Sequence, residues 1–183
     1  MIKIVLIVGP SGVGKDTLLR NIKYEIDANF VKRYINRVPS KDESNFYVDK
    51  KAFKILKEND FFISTWEAHE NRYGIAKNQI KKGLNIISIS RGAVKDFENY
   101  FDHVTTIEIT LPRDILYERL KGRDREDEEQ IQKRLDRSYD KIKANNLIQF
   151  NNLKQIKKSS KDFVKLLKSI QGTANEIRIF GIS

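Results

Sequence analysis

Cysteine is missing from all 183 residues, so neither a disulfide nor a thiolate-bound metal is available to this chain. No apolar run comes near the ~20 residues that a membrane-spanning helix needs, so no membrane partner is expected. Met1-Ile2-Lys3 leads straight into the first apolar run, which leaves no room for a secretory signal and predicts a cytoplasmic protein. The two histidines, His69 and His103, each stand alone in a polar stretch, with no partner pattern for metal or nucleophile chemistry. Internal repeats and low-complexity segments are also lacking. What is present is 39% hydrophobic, globular rather than disordered, and long enough for one α/β domain with its own core. The net charge is +10, from 35 Lys+Arg against 25 Asp+Glu. A basic surface suits nucleic acid and polyanionic small molecules equally. No basic motif interleaved with aromatics is present to stack single-stranded bases, so nucleic acid is an unlikely partner. The lysines of residues 154–168 read as the solvated face of a helix.

The most informative segment follows the apolar run of residues 2–8. It reads Gly9-Pro10-Ser11-Gly12-Val13-Gly14-Lys15-Asp16-Thr17, a Gly-x-x-x-x-Gly-Lys loop placed after a strand and before a helix. The preceding Ile4-Val5-Leu6-Ile7-Val8 has no polar alternation and predicts a strand buried on both faces of a parallel sheet. The glycines let backbone N–H groups wrap a phosphate at a helix N-terminus. Lys15 is the residue that reaches the terminal phosphates of a nucleotide, so ATP with Mg2+ is the expected cofactor pair. The position after the lysine ordinarily carries a magnesium-binding hydroxyl, and here it is Asp16. A carboxylate is a good ligand for a hard cation, which makes Asp16 a candidate metal ligand. The alternative is that it only complements the helix dipole.

Along the rest of the chain, strand-like and helix-like segments alternate, which predicts a parallel sheet with crossover helices. Helices are expected over residues 14–27, with Leu18, Leu19, Ile22 and Ile26 on one face, and over 50–59, with Phe53, Leu56 and Ile55 inward. A short helix is expected over 75–82, ending at Gly83 as its cap, and further helices over 94–101, 115–120 and 161–170. Strands are expected at 32–37, 61–66, 84–89, 104–111 and 147–150, with a last strand or tail at 176–182. Residues 38–44 read as a polar loop. Residues 121–130 read as a mobile charged segment leading into a helix through Ile131, Leu135 and Tyr139. This divides a single domain into a core (1–31, 80–118, 133–183) and two insertions (32–79 and 119–132). In such folds ligands bind at the carboxyl ends of the strands, where Arg37, Arg91 and the glycine loop are expected.

These residues resemble the guanylate kinase group of P-loop nucleotide kinases over nearly the whole chain, to about Asn152. The likeness rests on the 9–17 loop, on Arg37 with Glu43, on Tyr73-Gly74, and on Arg119-Leu120-x-x-Arg123 followed by Arg134-Leu135. It implies an α/β nucleoside-monophosphate-kinase-like fold: a parallel sheet flanked by helices, an acceptor-binding insertion and a lid. Arg37, Glu43 and Tyr73 are then candidate acceptor ligands, and Arg123 and Arg134 candidate lid arginines over the transferring phosphate. Against this stands a solvated cluster in which Arg123, Arg125 and Arg134 pair with Asp124, Glu126, Asp127 and Glu128, worth little energetically. Arg37 has the competing reading of a surface ion pair, and Tyr73 of simple packing beside Gly74. Trp66, Phe61 and Phe62 read as core.

The match to guanylate kinase proper is incomplete. Ser40 and Asn45 stand where an arginine and a tyrosine are expected, and Ser90-Arg91 replaces an acid. The sequence is more similar to the ribose 1,5-bisphosphate phosphokinase family, at Asp16, at Arg33-Tyr34-Ile35-x-Arg37, at Ser64-x-Trp66, at Ser90-Arg91 and at Arg123-x-Arg125-Glu126. That resemblance implies transfer of a phosphoryl group from ATP to a small phosphorylated sugar, making phosphoribosyl pyrophosphate, with Arg91 as an additional acceptor ligand. The competing readings are a guanylate kinase and a non-catalytic binding module, and the chain is expected to act as a monomer or homodimer.

Overall fold

The computed structural model describes residues 1–38, 44–68, 70–122, 128–138 and 141–172, apart from the side chains of residues 130, 133, 134, 137 and 138. The first strand, β1 (Ile2–Val8), is the middle of a five-stranded sheet. Its neighbours are β7 (Gly83–Ser88) and β8 (Val104–Thr110), and outside these lie β2 (Asn29–Val31) and β9 (Leu147–Asn151). The order is β2-β7-β1-β8-β9 and every pairing is parallel. Both faces are covered. Val5 and Ile7 join one buried cluster with Leu18, Ile22, Ile86, Ile107 and Phe163, while Ile4, Leu6 and Val8 join the other with Ile87, Val94 and Phe97. That two-sided burial is why the run carries no polar alternation.

Helix α1 (Lys15–Ile22) follows the glycine loop and packs with the long C-terminal helix α6 (Ile156–Gly172) on the first face. It is shorter than the 14–27 expected. After Ile22 the chain tightens into a turn, with Glu25 N–H donating to Ile22 O at 2.9 Å, and Ile26 is still delivered to the core. Helix α3 (Val94–Tyr100), after a single 3-10 turn at Arg91–Ala93, covers the second face.

A second, four-stranded sheet of order β4-β3-β6-β5 stands beside the first. It contains β3 (Tyr34–Ile35), β4 (Phe46–Tyr47), β5 (Phe62–Ala68) and β6 (Asn71–Ala76), with β5 and β6 antiparallel. Helix α2 (Lys50–Glu58) packs on it, its first turn capped by the Asp49 carboxylate, which accepts from Lys51 N–H at 2.8 Å and Ala52 N–H at 2.9 Å. Phe53, Phe62 and Ala76 form a small core of their own, with Phe61 and Leu56 against it. Ile55 does not point inward as expected but is 59% exposed, since the one-sided contact of a short helix admits only the 53/56 stripe.

Two expected elements are replaced. Residues 32–37 do not form one strand: the chain leaves the first sheet after Val31 and enters the second at Tyr34, because β2 pairs with β7 and β3 with β6. Residues 75–82 are not a helix either. Ile75 and Ala76 complete β6, and only a 3-10 turn at Lys77–Gln79 follows. Tertiary pairing outweighs local preference there. Phe62 and Ile75 are buried across the β5/β6 ladder, and the Gln79 amide exchanges two hydrogen bonds with Lys32, at 3.1 and 2.8 Å. Gly83 then starts β7 instead of capping a helix.

Helix α4 (Arg113–Lys121), with Pro112 at its N-cap, packs on α5 (Glu128–Ser138). Leu116, Leu120, Ile131 and Leu135 are buried between them and the sheet. The charged segment expected over 121–130 is therefore helical at Lys121 and from Glu128 onward, while 123–127 lie outside the described residues. Tyr117 O–H donates to Glu128 at 2.9 Å, which pushes the phenol above its ordinary value, and Arg113 pairs with Asp136 at 2.6 Å. The 176–182 tail and Tyr139 also lie outside the described residues. Among the described residues, no helix is long and apolar enough to cross a membrane.

Candidate active site

The glycine loop emerges from the carboxyl end of β1, the central strand, so α1 begins over the middle of the sheet edge. Two of its glycines are demanded by their surroundings. Gly9 has φ 146°, and a Cβ there would lie 2.5 Å from the Ile109 carbonyl oxygen. Gly14, the N-cap of α1, has φ 93°, and a Cβ there would meet Asn152 Nδ2 at 2.7 Å. Lys15 Nζ donates to the carbonyls of Gly9 at 2.6 Å and Pro10 at 2.7 Å, so the ammonium folds back along the loop. The arrangement offers a positive charge, backbone N–H groups and a helix N-terminus at one place, which is a phosphate-binding chemistry.

Two side chains that hold the loop were not singled out from the sequence as site residues. Asn152 is buried just after β9 and donates to Val13 O at 2.9 Å. Arg119, on α4, donates to the same carbonyl at 3.5 Å. Asn152 has no sequence signal, since an asparagine in an Asn-Asn pair after a strand reads as a turn. Arg119 did, through Arg119-Leu120-x-x-Arg123.

On the acceptor side, Tyr73 on β6 stacks on Trp66 of β5, with ring centres 5.7 Å apart and planes 5° apart. Trp66 is half-buried, packing against the second core face as well as against Tyr73. Arg37 follows β3, half-buried, with Nη1 donating to Val38 O at 3.2 Å. Arg91 opens the 3-10 turn just past β7, the strand beside β1. Arg33, which sequence reasoning quoted but gave no role, reaches from Tyr73 toward the first turn of α1. Its Nε donates to Asn45 Oδ1 at 3.2 Å, its guanidinium carbon lies 5.8 Å from the Tyr73 ring centre, and its Nη2 is 3.9 Å from the Asp16 carboxylate. The expected ligands Glu43 and Arg123 lie outside the described residues, as does the side chain of Arg134 on α5.

The residues fit a magnesium ion held chiefly by phosphates and water. Asp16 presents a carboxylate, 69% exposed, one residue after the loop lysine. Ser88, at the carboxyl end of β7, carries a buried hydroxyl with no hydrogen-bond partner among the described residues. Ser88 pairs with Ile7, so it points to the face that α1 covers. One carboxylate and one hydroxyl are what a nucleotide-bound magnesium takes from a protein, and here the carboxylate is on the loop helix and the hydroxyl on the strand. Among the described residues no cluster of three His, Cys, Asp or Glu side chains converges.

A parallel sheet in this order, with a glycine-lysine loop after its central strand, defines a P-loop kinase of the nucleoside-monophosphate-kinase type. A crystal structure of guanylate kinase from Anaplasma phagocytophilum superposes with a TM-score of 0.66 at 21% identity, covering 93% of this chain and 86% of that one. The chain matches the AAA domain family over residues 5–152. It is 32% identical over 141 residues to ribose 1,5-bisphosphate phosphokinase PhnN of Ruegeria sp. (strain TM1040), covering 74% of each. Against the enzyme of the same name from Desulfomicrobium baculatum it is 32% identical over 162 residues, covering 83% of this chain and 87% of that one. The chain belongs to the ribose 1,5-bisphosphate phosphokinase family of P-loop kinases.

Proposed function

We propose that the protein transfers the γ-phosphoryl group of ATP to the 1-phosphate of ribose 1,5-bisphosphate, giving phosphoribosyl pyrophosphate and ADP. The observation that carries this reading is the similarity to ribose 1,5-bisphosphate phosphokinases along most of the chain. Three arginines agree with it: Arg33, Arg37 and Arg91 suit an acceptor with two phosphates. An oxygen of the 1-phosphate forms the new bond to the γ-phosphorus, the bond from that phosphorus to the β–γ bridging oxygen breaks, and ADP leaves. A phosphate monoester has its second pKa near 6, so at neutral pH the attacking oxygen is already ionised and no side-chain base is required. The work left to the protein is alignment and charge neutralisation.

In this reading the 9–17 loop holds the donor phosphates, with Lys15 on the β- and γ-oxygens. Arg37, Glu43, Tyr73 and Arg91 receive the acceptor, the 32–79 insertion is the acceptor-binding part, and the 119–132 segment is a lid from which Arg123 and Arg134 close over the developing charge. A bound magnesium would neutralise charge on the donor phosphates, and Asp16 and Ser88 would hold it. Asp16→Ala is expected to raise the magnesium concentration for half-maximal rate about tenfold, the equivalent of ~1.4 kcal/mol, while the KM for ATP at saturating magnesium changes less than threefold. A magnesium titration of initial rates reads this directly, and an unchanged requirement returns Asp16 to the helix-dipole role.

An acceptor screen with ATP and magnesium tests the function as a whole. Ribose 1,5-bisphosphate is expected to be turned over at least a hundredfold more efficiently than guanosine monophosphate, because each missing charged phosphate contact costs roughly 1.5–3 kcal/mol. Efficient phosphorylation of guanosine monophosphate with no reaction on the sugar bisphosphate makes the protein a guanylate kinase instead. No transfer to any acceptor, with the nucleotide still bound, makes it a binding module.

A further inference from the structure

We infer that Arg33 and Asn45 together form the clamp for the acceptor phosphate that attacks ATP, an assignment that rests on the kinase reading above. The inference comes from where Arg33 stands and how its donors are used. The residue lies in the short connection between β2 and β3, where the chain crosses from one sheet to the other. Its side chain is 21% exposed, well covered for an arginine. One edge is committed to the second sheet, since Nε donates to Asn45 Oδ1 at 3.2 Å. The guanidinium carbon lies over the Tyr73 ring. The other end points toward the first turn of α1, where Asp16 is 3.9 Å away, beyond hydrogen-bond reach and largely solvated. A guanidinium fixed at Nε keeps its two terminal nitrogens as a rigid fork, the geometry that matches two oxygens of one phosphate. Among the described residues neither terminal nitrogen has a hydrogen-bond acceptor within reach.

Asn45 supplies the second, independent observation. Its Oδ1 faces Arg33, which places Nδ2 on the other side of the amide, and that nitrogen is buried with no hydrogen-bond partner among the described residues. A buried amide donor without an acceptor is uncommon and calls for a ligand oxygen. Both unspent donor sets therefore belong to one hydrogen-bonded pair and ask for the same thing, an anionic oxygen. The pair sits at the junction of the acceptor sheet and the donor helix. The group that must occupy that junction in a transfer between two phosphates is the attacking phosphate itself.

The test is a kinetic comparison of the wild-type chain with Arg33→Ala, Arg33→Lys and Asn45→Ala, using ribose 1,5-bisphosphate and, separately, guanosine monophosphate as acceptors. For whichever acceptor the wild-type enzyme turns over, Arg33→Ala is expected to lower kcat/KM for that acceptor about 100-fold, while the KM for ATP moves less than threefold. Arg33→Lys restores little of it, because an ammonium cannot fork. Asn45→Ala is expected to lower kcat/KM about tenfold and to leave the KM for ATP unchanged. Calorimetric titration with ribose 1-phosphate, which carries the attacking phosphate alone, gives a readout without turnover, and its affinity is expected to fall at least tenfold in Arg33→Ala. An unchanged ATP KM and an unchanged melting temperature show that the variants are folded. Acceptor kcat/KM and ribose 1-phosphate affinity within threefold of wild type in Arg33→Ala overturn the clamp, as does full rescue by lysine. A wild-type enzyme that ignores ribose 1,5-bisphosphate but phosphorylates guanosine monophosphate overturns the proposed function and still reads the clamp on the second acceptor. If the wild type turns over neither, the ribose 1-phosphate titration decides the clamp by itself.

Discussion

Lys15→Ala is expected to cut kcat/KM by about 10²–10³-fold and to leave the fold intact. The side chain belongs to neither buried cluster of the main sheet, so its removal opens no cavity there. What is lost is a positive charge that already lies along the loop, donating to the Gly9 and Pro10 carbonyls. A phosphate entering the loop offers stronger, charge-assisted acceptors than two peptide carbonyls, so the ammonium is expected to exchange one set for the other on nucleotide binding. Its effect grows toward the transition state, where charge spreads over the γ-phosphoryl oxygens. Turnover assays and calorimetric nucleotide titration check this, with circular dichroism as the control for folding. Equal affinity and equal turnover in the variant would remove the loop from the mechanism.

Gly9→Ala is expected to damage both the loop and the fold. The added methyl has to share space with the Ile109 carbonyl oxygen, 2.5 Å away, and that oxygen belongs to β8 of the central sheet and cannot swing aside. The φ of 146° is in addition a conformation that L side chains rarely adopt. Strain of this kind costs about 1–3 kcal/mol. In a chain of this length each kcal/mol lowers the melting temperature by roughly 2–4 °C. A fall of about 2–12 °C is therefore expected, with nucleotide affinity reduced at least tenfold because the loop is pushed off β8. Thermal melts with and without ATP–magnesium read both effects. A variant with wild-type stability and the same ATP-induced shift would mean that the loop relaxes at no cost, contrary to its packing.

The parts of the fold that could be read from the chain are those whose signal is local. Val5, Ile7 and their neighbours form an uninterrupted apolar run only because both sheet faces bury them, and the strands at 84–89 and 104–111 followed by the same logic. The glycine loop was legible because backbone geometry demands its glycines at that spacing. The 75–82 segment was misread since a helix-like pattern of apolar residues and a glycine stop says nothing about the antiparallel partner that claims Ile75 and Ala76. The inward placement of Ile55 failed for the same reason: a helix face is chosen by what it packs on.

The sequence by itself determined that this is a parallel α/β P-loop kinase, because the loop, its flanking strand and its helix are contiguous in the chain and each constrains its own backbone. It also placed the chain near ribose 1,5-bisphosphate phosphokinases, since those likenesses are strings of residues. Only the tertiary structure decided which groups meet. Asn152 reaches Val13 across 139 positions, and Ser88 is carried to the α1 face by strand register. Arg33, Asn45, Tyr73 and Asp16 are brought together because the chain changes sheets between β2 and β3. Those contacts are set by sheet pairing and crossover, which join residues far apart in the chain and leave no periodicity or spacing to read in advance.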